Sequence, residues 1–118
     1  MLLQGKKAII TGGTRGIGFS VAEVFLKNGA SVALFGSRQE TVDKALAQLK
    51  AENPAWEVIG MAPDLTDYAA LDAAFSEVEN RFGRIDILVN NAGISAREPL
   101  YEYTPEAFQR IMDLNVTA

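Results

Sequence analysis

The sequence predicts a doubly wound α/β fold built around a parallel sheet, and two observations predict it. Short β-branched segments alternate along the chain with segments in which apolar residues recur every three or four positions. The helical segments are long enough to connect parallel strands, and right-handed connections place helices on both faces of the sheet. The predicted order is strand then helix, repeated four times.

The predicted strands cover residues 7–11, 31–36, 57–61 and 85–90. The first helix begins near Ile17 and ends at Asn28-Gly29, because glycine permits a left-handed cap. The second helix has apolar residues at positions 42, 45, 46 and 49, which lie on one helical face, and it ends before Pro54.

The third helix is expected to begin at a Thr66 cap and to end at Gly83. Thr104, followed by Pro105 at the first helical position, begins the fourth. The chain stops at Ala118 inside this helical pattern, and four strands are only part of a six-strand dinucleotide-binding plan. We therefore expect a domain over residues 1–118 that is truncated after the fourth strand and its following helix.

Composition excludes several classes of protein. The chain has 118 residues, of which 48% are hydrophobic and 22% charged, which is typical of one globular domain. Its net charge is −4 without a run of like charges, so neither nucleic acid nor an anionic membrane is an expected partner. Without Cys or His there is no thiol nucleophile, no imidazole base and no usual zinc ligand, and we predict no metal site. No signal or membrane segment is recognised, and a cytoplasmic protein is expected.

A glycine-rich turn follows the first strand, with glycines at positions 12, 16 and 18. Such a turn at a helix N-terminus lets the backbone approach a pyrophosphate, whose charge the free N–H groups and the helix dipole stabilise. The spacing differs from G-x-G-x-x-G, and a tight turn between strand and helix is the alternative interpretation. The turn lacks a G-K-[ST] ending, which argues against a P-loop ATPase.

The second strand ends in Gly36-Ser37-Arg38. An acidic residue here would favour the free 2′-hydroxyl of NAD(H), whereas a cation and a hydroxyl favour the 2′-phosphate of NADP(H). NADP(H) is therefore the preferred cofactor, with NAD(H) as the alternative, and Arg15 is a candidate second cation. Ser37 and Glu40 also match a capping box, which is compatible with a charge role for Arg38.

Polar residues also follow the third and fourth strands, at Asp64-Leu65 and at 90–93. Carboxyl ends of parallel strands form the ligand crevice of such a sheet, so these segments should share one edge. We expect Asn90 to link neighbouring strand ends, because buried amides need partners. Asn115 lies on the apolar face of the fourth predicted helix, where it either makes a buried structural hydrogen bond or lines the site.

Together these motifs resemble the N-terminal half of the short-chain dehydrogenase/reductase family, whose fold is of the Rossmann type. The resemblance rests on Thr11-Gly12 with Gly16 and Gly18, on Asp64-Leu65, on Asn90-Asn91-Ala92-Gly93 and on Asn115-Val116. Within the family the sequence is similar to bacterial bile-acid 3α-hydroxysteroid dehydrogenases, and more widely to 3-oxoacyl-carrier-protein reductases.

The resemblance implies a role for each matching position. The diphosphate would contact Gly12, Thr14, Arg15, Gly16, Ile17 and Gly18. Ser37 and Arg38 would meet the adenosine ribose and its phosphate, and Asp64 and Leu65 would flank the adenine. The nicotinamide ribose would lie along Asn91, Ala92 and Gly93, and Asn115 matches the catalytic Asn that holds a water in the proton relay.

The family's catalytic Ser and Tyr-x-x-x-Lys have no counterpart in this chain. Four residues after Tyr68, Tyr101 and Tyr103 come Asp72, Pro105 and Ala107. The resemblance therefore implies an oxidoreductase that transfers hydride between NADP(H) and a secondary alcohol or ketone, of the hydroxysteroid or 3-oxoacyl thioester class, whose acid/base pair lies outside these residues. These residues alone are expected to bind cofactor at most. The alternative function is a non-catalytic NADP(H)-binding module. The family resemblance also implies a homo-oligomer, a dimer or tetramer.

Overall fold

The computed structural model describes residues 2–14, 16–64 and 66–90. Strands and helices alternate along these residues. In chain order the elements are β1 Lys7–Thr11, α1 Gly16–Lys27, β2 Ser31–Phe35, α2 Gln39–Glu52, β3 Val58–Met61, α3 Tyr68–Phe82 and β4 Ile87–Asn90. The fourth predicted helix, over residues 104–116, lies outside the described residues.

The four strands form one parallel sheet in the order β3-β2-β1-β4. This is the start of the strand order found in dinucleotide-binding domains, and it confirms the predicted fold class. The strands also end level with one another, because Thr11 is the register partner of both Phe35 and Asn90, and Phe35 is the partner of Met61. The turns that follow the strands therefore lie along one edge, which we call the carboxyl edge.

Helices cover both faces of the sheet, and the strand residues alternate between two cores. Ile9 packs on the side of α3, whose Phe75 ring lies 5.9 Å from the Phe35 ring. Ile10 packs on the other side, against α1 and α2. Fully buried residues run almost continuously through β1 and β2, as expected for central parallel strands covered on both faces.

The helix α1 faces the sheet with small and large residues together. Its buried residues are Gly18, Ala22 and Leu26, whereas Ile17 is 75% exposed. Small side chains allow a helix to pack close to the sheet. Val21 and Phe25 are partly buried and pack against the same core, so the apolar spacing located the helix correctly, while Ile17 lies outside the buried face.

The helix α3 begins one residue later than predicted. The side chain of Asp67, not Thr66, caps it by accepting hydrogen bonds from the N–H groups of Ala69 (3.0 Å) and Ala70 (3.3 Å). Thr66 instead donates its N–H and its hydroxyl to Asp64 Oδ1, at 3.0 and 2.6 Å. The Thr66 cap was therefore a wrong prediction, because the neighbouring carboxylate accepts the helix N–H groups and the threonine is bonded to Asp64.

The strand β4 starts two residues later than predicted. It follows a group of hydrogen bonds at the edge of the sheet where the strands begin, opposite the carboxyl edge. Lys7 N–H donates to Asp86 Oδ2 (2.9 Å), and Asp86 N–H donates to the Lys7 carbonyl (2.7 Å). Arg84 donates to the Asp86 carboxylate and to the Gly5 carbonyl (2.7 Å). These bonds align the starts of β1 and β4.

Candidate cofactor-binding site

The turn between β1 and α1 has the backbone geometry that an anion site needs. Gly12 and Gly16 have φ values of +68° and +62°, which side-chain-bearing residues rarely adopt. A β-carbon built on Gly16 would meet no atom within 4 Å, so the space beside the turn is open. The first turn of α1 contains no acidic residue. Its N–H groups, which lack acceptors within the helix, therefore fit the diphosphate of a dinucleotide.

The turn between β2 and α2 presents a cation at the same edge. Arg38 and Glu40 form an ion pair (Nη1 to Oε1, 3.2 Å), with 68% and 74% of their side chains exposed. The predicted capping box is not formed: Arg38 occupies the N-cap position in extended conformation, and no side chain caps the helix. Because the chain stays extended through Arg38, Ser37 lies one residue too early to cap α2.

These two turns are joined to each other by backbone and side-chain contacts. Gly12 N–H donates to the Phe35 carbonyl (2.8 Å), which continues the β1–β2 ladder into the first turn. Beyond it, the γ-methyl group of Thr14 lies beside Gly36, with no room for a β-carbon between them. The residues predicted to bind the diphosphate and the Arg38 cation thus lie on two adjacent turns, and these turns contact each other.

The turn after β3 is organised by the Asp64 carboxylate. The hydrogen bonds from the Thr66 hydroxyl, and then from the Thr66 N–H, lower the pKa of Asp64 below its ordinary value. Asp64 is exposed, so an ionised carboxylate faces solvent at the carboxyl edge. It is available as an acceptor for an adenine amino group.

The end of β4 is tied to the end of β1. The Thr11 hydroxyl donates to Asn90 Oδ1 (3.1 Å), and both residues lie at the carboxyl edge. This hydrogen bond confirms that Asn90 links neighbouring strand ends.

The structure brings most of the predicted site residues that it describes to this edge. Gly12, Thr14 and Gly16 form the first turn, Ile17 is exposed at the start of α1, Ser37 and Arg38 form the second turn, and Asp64 the third. Gly18 differs from them, because it is buried within α1. The predicted site residues outside the described ones are Arg15, Leu65, Asn91, Ala92, Gly93 and Asn115.

Two other properties follow from the described residues. No cluster of three or more His, Cys, Asp or Glu side chains capable of holding a metal occurs among residues 2–14, 16–64 and 66–90. In that same part of the chain, no helix has the length and apolar character needed to cross a membrane.

Three residues that shape the site were not among the predicted site residues: Gly36, Val42 and Gly60. A β-carbon on Gly36 would lie 2.7 Å from Val42 Cγ2, and one on Gly60 would overlap Val42 Cγ1. A glycine within a strand often marks a close approach of another segment, so Gly60 carried a usable signal. The partner of that approach, Val42, could not be identified without the fold.

A parallel sheet in this order, with a glycine turn at the start of its first helix, is typical of nucleotide-binding α/β proteins. Residues 6–118 match the family described as short chain dehydrogenase. The chain therefore belongs to the short-chain dehydrogenase family.

Individual relatives share the fold and much of the sequence. The chain is 57% identical over 118 residues to a 3α-hydroxysteroid dehydrogenase of Mediterraneibacter gnavus, and the match covers all of this chain and 47% of that protein. It is similar to the structure of L-sorbose reductase from Gluconobacter frateurii complexed with NADPH and L-sorbose (TM-score 0.75, 32% identity, 97% of this chain and 47% of that one). It is also similar to NAD⁺-bound xylitol dehydrogenase (TM-score 0.73, 29% identity, 99% of this chain and 45% of that one). The chain thus spans about half the length of the relatives it matches.

Proposed function

We propose that residues 1–118 form the cofactor-binding domain of an NADP(H)-dependent oxidoreductase that interconverts a secondary alcohol and a ketone. The observation that carries the proposal is the pairing of two adjacent turns at the carboxyl edge, one open and glycine-rich, the other bearing a cation. When bound, the nicotinamide supplies or accepts the hydride. Family membership supports the reaction class.

Each part of the site would hold one part of the cofactor. The glycine turn and the start of α1, with Arg15, would bind the diphosphate through backbone N–H groups. Asp64 and Leu65 would flank the adenine. The segment Asn91-Ala92-Gly93 would follow the nicotinamide ribose, and Asn115 would hold a water of the proton relay, as the family resemblance implies.

NADP(H) is preferred over NAD(H) because of the charge after β2. After Gly36, Ser37 supplies a hydroxyl and Arg38 supplies a cation. An acidic residue at the same place would repel a 2′-phosphate. Similar structures contain either NADPH or NAD⁺, so the choice of cofactor depends on local residues rather than on the fold.

A hydroxysteroid is the substrate class we put first. The 57% identity to a 3α-hydroxysteroid dehydrogenase supports it over a 3-oxoacyl thioester, which stays the second candidate. We propose that the complete protein is a cytoplasmic homo-oligomer, an expectation drawn from the family resemblance.

The test is cofactor binding followed by turnover, both with the complete gene product. NADPH and NADH are titrated by calorimetry, and a 3α-hydroxysteroid with NADP⁺, or a 3-oxoacyl thioester with NADPH, is then assayed by the absorbance of NADPH. We expect tighter binding of NADPH and oxidation of the steroid. Binding without turnover of either substrate would favour a non-catalytic module, and absence of dinucleotide binding would overturn the proposal altogether.

A further inference from the structure

Gly36 lies between two methyl groups that leave no space for a side chain. A β-carbon built on it would come 2.7 Å from Thr14 Cγ2 and 2.7 Å from Val42 Cγ2. Unbonded carbon atoms pack best at about 3.5–4.0 Å, so any side chain at this position would push its neighbours apart. We call this arrangement of Thr14 Cγ2, Gly36 and Val42 Cγ2 the spacer contact.

Neither neighbour of Gly36 can move aside easily. Thr14 and Val42 are β-branched, and such side chains are restricted to few χ1 rotamers. Val42 is fully buried, and its other methyl group lies so close to Gly60 on β3 that a β-carbon there would overlap it, so Val42 is closely packed on that side as well.

The spacer contact lies between the two halves of the proposed site. Thr14 belongs to the turn that would bind the diphosphate, and Val42 is on α2, just after Arg38. We propose that Gly36 is a positioning residue: by letting Thr14 and Val42 close on the end of β2, it fixes the distance from the diphosphate turn to Arg38. The inference rests on the proposed NADP(H) function and extends it to how the cofactor is chosen.

The physical reason is the geometry of the ligand. One ribose joins the diphosphate of NADPH to its 2′-phosphate, so the two charged groups have a nearly fixed separation. Turns already held at the matching distance bind both groups without reorganising, which lowers the cost of binding. NADH has no 2′-phosphate and gains nothing from this match. Disturbing the spacer contact should therefore reduce the preference for NADPH more than it reduces dinucleotide binding in general.

Two substitutions of Thr14 test the role of its methyl group in the complete gene product. Thr14→Ser removes the γ-methyl and keeps the hydroxyl, whereas Thr14→Val keeps that methyl and removes the hydroxyl. We expect the ratio of the NADH to the NADPH dissociation constant to fall about threefold in Thr14→Ser, the size of effect that one lost methyl contact produces. In Thr14→Val the ratio should be unchanged, even where both affinities change. An unchanged ratio in Thr14→Ser, or an equal fall in both variants, overturns the inference.

A substitution at Gly36 tests the same contact by wedging it open. Gly36→Ala should lower the ratio further, and part of that loss should disappear in the Thr14→Ser background, where the missing methyl makes room. Gly60→Ala is the matched control, because its added methyl meets Val42 from β3 without touching Thr14. Its effect should be the same in either Thr14 background.

Thermal unfolding shows which variants fold. If Gly36→Ala does not fold, the comparison of Thr14→Ser with Thr14→Val alone tests the positioning role. If Gly36→Ala lowers the ratio of the NADH to the NADPH dissociation constant equally in both Thr14 backgrounds, the inference is overturned. If the unmodified protein binds neither dinucleotide, the proposed function fails and the inference fails with it. If the unmodified protein binds NADPH and the variants keep its selectivity, only the positioning role of Gly36 is lost.

Discussion

Replacing Arg38 by Gln is expected to weaken NADPH binding about fivefold to thirtyfold and to leave NADH binding unchanged. The size of this loss in affinity depends on the exposure of Arg38. Because 68% of its side chain is accessible, its charge acts through a water-like dielectric. Two unit charges about 4 Å apart then interact by about 1 kcal/mol. A phosphate monoester carries between one and two charges at neutral pH, so the loss is about 1–2 kcal/mol.

Glu40 limits this contribution. Its carboxylate lies 3.2 Å from the Arg38 guanidinium and would compete with the phosphate for it. Glu40→Gln should therefore tighten NADPH binding, by up to about fivefold, because an exposed ion pair contributes at most about 1 kcal/mol. NADH affinity should not respond.

The assay is titration of both dinucleotides by calorimetry at low ionic strength, with a control for net charge. Arg81→Gln makes the same change of charge in another exposed ion pair, Arg81 with Glu77 (2.9 Å), in the last turn of α3 and away from the carboxyl edge. Equal weakening of NADPH and NADH binding by Arg38→Gln, or the same effect from Arg81→Gln, would show that Arg38 does not interact with the 2′-phosphate.

Three further substitutions probe the turn, a helix cap and an edge of the sheet. Gly16→Val should abolish binding of both dinucleotides in the same titration, because φ is +62° there; retained affinity would make the turn merely structural. Asp67→Ala should lower the free energy of unfolding, measured with urea, by about 1 kcal/mol, whereas Thr66→Ala should cost clearly less because Asp67 is the cap. The pKa of Glu57 is lowered below its ordinary value, chiefly by the hydrogen bond from the Ser31 hydroxyl. The ionised carboxylate therefore stabilises the fold above the ordinary pKa, and this stabilisation is lost as the pH falls through the lower pKa of the folded state. Urea unfolding of Glu57→Gln should therefore differ from the unmodified protein at pH 7 and converge with it in acid; a constant difference would contradict this.

The architecture was predictable because local and long-range preferences agree. Parallel strands need helical connections, so the alternation of patterns determines the layers of the fold. The carboxyl edge follows from the same rule, and the register partners Thr11, Phe35, Met61 and Asn90 confirm that the strand ends are level. The pairing of Asn90 with Thr11 was predictable for a related reason, since a partly buried amide at that edge needs a partner.

The details that sequence reasoning missed are choices between neighbouring residues. Thr66 and Asp67 are both good caps, and the choice depends on which one also satisfies Asp64. Ser37 has the residue type of a cap, but the backbone stays extended for one residue more. These outcomes depend on tertiary contacts that spacing alone does not contain.

The spacer contact and Arg38 should contribute to selectivity as one unit rather than separately. A methyl group carries no charge and cannot distinguish a 2′-phosphate from a hydroxyl, so Thr14 can affect selectivity only by positioning groups that do. Without the Arg38 charge, most of what Thr14 positions is gone, and Thr14→Ser in the Arg38→Gln background should change the dissociation-constant ratio little further. Effects that act through one shared contact are non-additive, whereas independent effects add. Full additivity of the two losses of selectivity would show that Thr14 acts independently of Arg38 and would contradict the positioning role.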